Sequence, residues 1–174
     1  AVFFMAKTSN PTWHQKKVKE LGGKIHWIPD GMLNVTQARA REYAAKDPKN
    51  RRLLPIGLED ATVLASIVRV ARSLTYRNKP VVPTEIWSVG SSGTLSRGLQ
   101  AAFPKATVHV VQTGHTMSKE QIGRAVFHKS PYKFDQRCKE AEMPPYPAES
   151  YYDSKVWSLV KKHGKRGALV WSVA

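Results

Sequence analysis

Along this chain the apolar positions switch repeatedly between a period of two and a helical period. Residues 1–6 form a short apolar run that reads as a buried strand. Asn10-Pro11 then offers an N-cap with proline at the first helical position. A helix is expected through Trp13, Val18 and Leu21, stopping at Gly22-Gly23. Residues 24–28 alternate as a strand does, and Pro29-Asp30-Gly31 is turn chemistry. A second helix, 37–46, is capped by Asn34 or Thr36 and ends at Asp47-Pro48. Residues 53–56 are a strand candidate, and the stripe Val63, Ile67, Val70, Ala71 and Leu74 predicts a helix over 57–74. Then come a strand (85–89), a tight loop (90–93), a helix (94–103) stopped by Pro104, and a strand (107–112). Residues 113–147 are polar and poor in periodicity, so a lid-like surface excursion is expected there. A helix (149–163), a stop at Gly164 and a last strand (168–173) close the chain.

Strand–helix alternation with short connections implies an α/β fold of three layers, a mostly parallel sheet with helices on both faces. The 174 residues suffice for one such domain, and 1–174 is expected to be a single one. Composition changes little: 41% hydrophobic and 24% charged residues are ordinary for a globular protein. No apolar stretch approaches the ~20 residues that span a bilayer, so no membrane partner is expected. The single cysteine, Cys138, excludes a disulfide framework within one chain and fits a reducing, cytoplasmic compartment. Set between Arg137 and Lys139, its thiol is a candidate for a lowered pKa. The six histidines show no pair at helical metal spacing, so no metal site is expected.

Charge does alter the picture. Twenty-eight Lys and Arg against thirteen Asp and Glu give a net charge of +15, a field that favours polyanions and makes nucleic acid an expected partner. Basic residues cluster at Lys16, Lys17 and Lys19, at Lys49, Arg51 and Arg52, and at Lys161, Lys162, Lys165 and Arg166. In the excursion, basic residues interleave with Phe127, Tyr132 and Phe134, a mixture suited to single strands or flipped bases. A solvated cationic face is the alternative for any one cluster.

The candidate chemistry lies at Gly90, Ser91, Ser92, Gly93 and Thr94. An apolar strand runs into this loop and a helix opens directly after it. First-turn N–H groups and the helix dipole favour an anion there, and three hydroxyls stand at the same place. The glycine spacing is neither a Walker A loop nor a dinucleotide fingerprint. An ordinary strand-to-helix turn with a serine cap would use the same residues.

The stretch VGSSGTLSRGLQAAFPKATVHVV resembles the phosphate loop and following helix of fold-type II pyridoxal-phosphate (PLP) enzymes. AVFFMAKTSNPTWHQKKVKELGGKIHWIPDG, RRLLPIGLEDATVLASIVRVARSL and PAESYYDSKVWSLVKKHGKRGALVWSVA are similar, in the same order, to three further segments of that superfamily. Within it the chain most resembles the branch of aminocyclopropane-carboxylate deaminase and D-cysteine desulfhydrase. The resemblance implies pyridoxal 5'-phosphate as cofactor, held by its phosphate at Gly90, Ser91, Ser92, Gly93 and Thr94. It implies Ser172 as the hydroxyl facing the pyridine nitrogen, and Tyr152 as proton carrier or substrate-carboxylate ligand, with packing under the last helix as that residue's alternative. Gly57 would let the chain pass close to a ligand, and a homodimer is expected. Members are about twice this length, and their Schiff-base lysine precedes the strand that residues 1–6 resemble. Lys7 follows that strand and does not take the role, so a preceding N-terminal segment is expected to be missing, or another polypeptide supplies the lysine, or PLP chemistry has been abandoned.

Two functions follow. One is a PLP-dependent lyase, deaminase or decarboxylase acting on an amino-acid-type substrate, which the charge suggests is attached to nucleic acid, as in base hypermodification. The other is a catalytically silent PLP-fold module that binds nucleic acid or an assembly partner through its basic surface. A phosphoribosyltransferase using the same loop is disfavoured, since no acidic pair precedes Gly90.

Overall fold

The computed structural model describes residues 1–29 and 31–173; the turn expected at Pro29-Asp30-Gly31 involves Asp30, which lies outside them. Where the sequence suggested one domain, the chain divides into two compact units, Ala1–Leu53 and Leu54–Ala174.

In the first unit, strands β1 (Val2–Ala6) and β2 (Lys24–Ile28) pair in parallel, with Phe4 opposite His26. Helix α1 (Trp13–Glu20) joins them, and α2 (Leu33–Ala45) follows. The cap of α1 is Thr12 and not Asn10: Thr12 and Gln15 form a reciprocal capping box. Helix α2 begins earlier than expected, after Met32, without a side-chain cap. Tyr43 of α2 packs on the rings of Phe4 and His26, whereas the chain end of α1, at Val18 and Gly23, lies by Phe3. Successive strand residues face opposite sides, so the two helices cover opposite faces.

The second unit opens with a correction. Residues 53–56 form no strand, and a short 3-10 turn, Ile56–Leu58, stands where the long helix was expected to begin. Gly57 and Leu58 both have positive φ (75° and 54°), which no helix interior accepts. Helix α3 (Ala61–Arg72) starts only after Asp60, whose side chain accepts from the Thr62 amide. A small antiparallel hairpin follows, β3 (Thr75–Tyr76) and β4 (Lys79–Pro80), turning through Arg77 and Asn78 at positive φ.

Strand β5 (Glu85–Gly90), helix α4 (Thr94–Ala102) and strand β6 (Thr107–Gln112) fall within a residue of expectation. The first part of the 113–147 segment is not an excursion: it holds α5 (Lys119–Ile122) and a strand, β7 (Val126–Lys129), which pairs with β6. The expected helix over 149–163 is a 3-10 turn, Asp153–Val156, leading into α6 (Trp157–His163), and β8 (Leu169–Trp171) follows. The sheet order is β7-β6-β5-β8, all parallel.

Each face of this sheet has its own core. Ile86 and Val108 pack with Ala71 of α3 and Leu99 and Ala102 of α4 on one side. Trp87, Val89 and Val111 pack with Val156, Tyr152, Leu159 and Val160 on the other. Trp87, Ile86 and Leu99 are fully buried, and side chains of that kind contribute about 1.5–3 kcal/mol each. The result is the three-layer α/β arrangement with a mostly parallel sheet.

On the second face the rings form a column. Trp87 stacks on His109 at 4.1 Å and 6°, His109 Nδ1 and His128 Nε2 share a hydrogen bond of 2.9 Å, and His163 lies beyond at 6.4 Å. Buried Glu85 accepts from Trp87 Nε1 at 2.7 Å and from the Lys165 amide at 3.0 Å. Burial lowers the proton affinity of His109, against the pull of Glu85, and it lowers that of His128, with help from His163. A proton therefore binds these imidazoles more tightly in the unfolded chain than in the folded one. Stability is full above the ordinary imidazole pKa and is lost as pH falls through it. The urea midpoint should drop between about pH 7.5 and about pH 5.5. His128→Gln should shrink that drop, and an unchanged midpoint would show no linkage at the ring column.

Candidate functional site

The loop after β5 is shaped by what crowds it. Gly93, the cap residue of α4, has φ 78°, and a Cβ there would lie 2.1 Å from the carbonyl oxygen of Gln121. Only glycine fits. On the other side Ser92 closes on Gly57: a Cβ on Gly57 would meet Ser92 Cβ at 2.2 Å, and Ser92 Oγ donates to the Gly57 carbonyl at 3.1 Å. The close approach expected at Gly57 is thus made by the chain's own Ser92. Ser92 Oγ also lies 3.1 Å from Thr94 Oγ1, and Ser96 Oγ returns to the Gly93 carbonyl at 3.0 Å.

First-turn amides of a helix have no intrahelical acceptor, and Gly93 brings no side chain to take those of α4. These donors and the positive end of the helix dipole converge at the carboxyl end of β5, the central strand. Gly90, Gly93 and Thr94 are buried, and Ser91 and Ser92 are half-buried. Oriented dipoles at a helix start are the kind of group to which a phosphate or another oxyanion binds.

Two residues near it were given no role by the sequence reading. Thr113 leaves β6 beside the loop, its amide donating to the Gly90 carbonyl at 2.8 Å. It is 2% exposed, and its hydroxyl has no hydrogen-bond partner among the described residues. Its signal was position, at the carboxyl end of the neighbouring parallel strand, where α/β sheets gather ligands. The other is Lys155, which is completely buried and donates from Nζ to the carbonyls of Lys133 (2.7 Å) and Phe134 (2.8 Å). Burial lowers its pKa against the opposing pull of Cys138, Glu149 and Asp135. The ring of Phe134 reaches the loop, since a Cβ on Gly114 would lie 3.0 Å from Ser91 Oγ and 3.3 Å from that ring.

The other expected residues are placed as follows. β8 runs parallel to β5 with Trp171 opposite Ser88, so Ser172 leaves the sheet at the same end as the loop. Its hydroxyl donates to the Pro147 carbonyl at 3.3 Å. Tyr152 packs against the core of Trp87, Val89 and Val156, as its alternative role required. Burial, and then Asp153, raise its phenol pKa. Cys138 departs from expectation: it is buried, and that burial pushes its thiol up despite the nearby Lys155.

No family model matches this chain, and no curated protein matches it. A crystal structure described as that of an ACC deaminase homologue does resemble it, with a TM-score of 0.75 over 97% of this chain at 12% identity. The chain shares the fold of that structure and spans 63% of the length of its chain. The loop, Thr113 and Ser172 all stand at the carboxyl ends of adjacent strands, β5, β6 and β8.

Gly93→Ala should destabilise the protein by about 1–3 kcal/mol from backbone strain alone. It should also abolish anion binding at the loop, measured by urea unfolding and by phosphate titration. Lys155→Met should remove the ammonium donor from the Lys133 and Phe134 carbonyls and speed limited proteolysis within residues 113–147 at least severalfold. Cleavage as slow as in the unsubstituted protein would show that the lysine does not hold the segment.

Proposed function

We propose that this chain anchors pyridoxal 5'-phosphate by its phosphate group at Gly90, Ser91, Ser92, Gly93 and Thr94. We further propose that it forms the larger part of a PLP-dependent lyase, deaminase or decarboxylase acting on an amino-acid-type substrate. The observation that carries this reading is the start of α4 at the end of the central strand, where the cap residue Gly93 has no side chain, the Thr94 amide makes only a long 3.5 Å bond to Ser92 Oγ, and Gly57 and Gln121 close in. The unpartnered Thr113 hydroxyl at the same strand ends adds a polar group in want of a partner.

When bound, PLP supplies the electron sink for chemistry at the substrate's α-carbon. The chain's residues would do the holding. The α4 amides and the Ser91 and Thr94 hydroxyls bind the phosphate. The Ser172 hydroxyl would leave the Pro147 carbonyl and donate to the ring nitrogen as an uncharged partner, so that the nitrogen stays unprotonated. Tyr152, whose burial keeps its hydroxyl protonated near neutral pH, offers a proton or binds a substrate carboxylate. Lys155 is no candidate for the catalytic lysine, because its ammonium is fully buried and engaged with two carbonyls. The reading therefore requires a lysine that none of these residues provides.

That engagement of Lys155 also supports a second reading, a catalytically silent PLP-fold module. In either case the charge of +15 favours a nucleic-acid partner or a substrate attached to nucleic acid, and a homodimer fits the fold. Absorbance titration of the purified chain with PLP, before and after borohydride, tests both. Reversible binding that Gly93→Ala abolishes supports anchoring and the silent module. Covalent retention after reduction supports the enzyme. Binding that is absent, or indifferent to Gly93→Ala, rejects the loop as the anchor.

A further inference from the structure

A separate cavity opens in the first unit, on the face of the two-stranded sheet that α2 covers. It is open to solvent, with a volume of about 370 Å3, and Phe4, His26, Tyr43, Arg39, Glu42 and Lys46 are among its lining residues. Its inner wall is aromatic. Phe4 and His26, side by side on paired strands, stack at 4.9 Å and 12°, and Tyr43 leans over both at 5.5 Å. Such a wall attracts flat rings through their faces and edges.

Two cations, Arg39 and Lys46, and one carboxylate, Glu42, stand in its lining, and further basic residues follow in the chain. From Leu33 to Leu53 the chain carries six basic residues, Arg39, Arg41, Lys46, Lys49, Arg51 and Arg52, against the two carboxylates of Glu42 and Asp47. Glu42, the carboxylate in the lining, is already engaged by Arg39 at 2.9 Å. Arg51 lies over the Tyr43 ring at 3.9 Å and donates to the Tyr43 carbonyl at 2.8 Å, which fixes both side chains. Lys46 has no ion-pair partner among the described residues.

We propose that this cavity is a nucleotide subsite, in which the Phe4–His26–Tyr43 rings receive a base and Lys46 receives its phosphate. Aromatic faces that accept any base, beside cations that track the phosphate, are the combination by which proteins hold nucleotides and single strands. An apolar peptide would have no use for the cations, and a bare anion none for the rings. The ligand is therefore a nucleoside monophosphate unit, free or within a strand. The site uses no residue of the phosphate loop, so it stands or falls independently of PLP anchoring. It gives the nucleic-acid part of the proposed function a location.

Equilibrium dialysis of the 174-residue chain against adenosine monophosphate, a deoxyadenosine strand of about eight nucleotides and inorganic phosphate tests it. The nucleotide and the strand should bind, and phosphate alone should compete weakly. Lys46→Glu, at the rim and outside the ring packing, should weaken both by about tenfold or more. Lys161→Glu, on α6 of the other unit, should leave nucleotide binding unchanged. A strand that binds tighter, with affinity falling steeply in salt, identifies nucleic acid as the source; equal affinities identify the free nucleotide. The proposal is overturned if neither ligand binds at millimolar concentration. It is equally overturned if phosphate competes as well as the nucleotide, or if Lys46→Glu changes nothing. Retained PLP binding at the loop in the Lys46→Glu protein would show that any loss is local to the cavity.

Discussion

Strand β5 is paired on both edges and covered on both faces, and the larger unit is organised around that constraint. All six of its residues are buried, Glu85 and Ser88 included. A strand so placed must satisfy its backbone groups through its neighbours: all six residues pair with β6, and Ile86, Trp87 and Ser88 pair with β8 as well. Its side chains then serve two cores in alternation, Ile86 toward α3 and α4, Trp87 and Val89 toward the closing helix. The buried carboxylate of Glu85 is tolerated because the Trp87 indole and the Lys165 amide both donate to it.

The same constraint places the loop. A strand locked on all sides delivers its carboxyl end to one position, and the loop there is gripped between Ser92 against Gly57 and Gly93 against Gln121. Grips of this kind keep dipoles oriented before a ligand arrives, which is the condition under which amide donors are effective toward an anion. Rigidity and electrostatics are therefore supplied by different residues: packing by Gly57, Gln121 and Phe134, and donors by the start of α4.

Much of this was legible in the sequence, and the failures have physical causes. Residues 24–28 and 107–112 matched their strands to the residue, because alternation and flanking turn residues agreed. The helix read over 57–74 lost its first turn because an apolar stripe says nothing of the left-handed backbone at Gly57 and Leu58, although Asp60 was a readable cap. β7 was missed because a four-residue strand at the edge of the sheet shows too short a pattern, one of its residues being a ring of the Trp87 column. The strand-to-helix loop at 90–93 was visible because its turn chemistry is local. The burial of Lys155 was not, since its partners lie 21 and 22 positions away and only tertiary contact brings them together.

That lysine turns part of the chain into a ring. Between Phe134 and Lys155 the backbone leaves the base, passes Cys138 and Tyr146, and returns to be clasped by one ammonium against two carbonyls. Closure entropy grows only with the logarithm of length, so doubling the ring would add about 0.6 kcal/mol. Length variation inside it is cheap, whereas the clasp tolerates none: arginine's broad fork cannot replace a compact ammonium fitted between two carbonyl oxygens. Insertions within the ring therefore cost little so long as the lysine that ties it is kept.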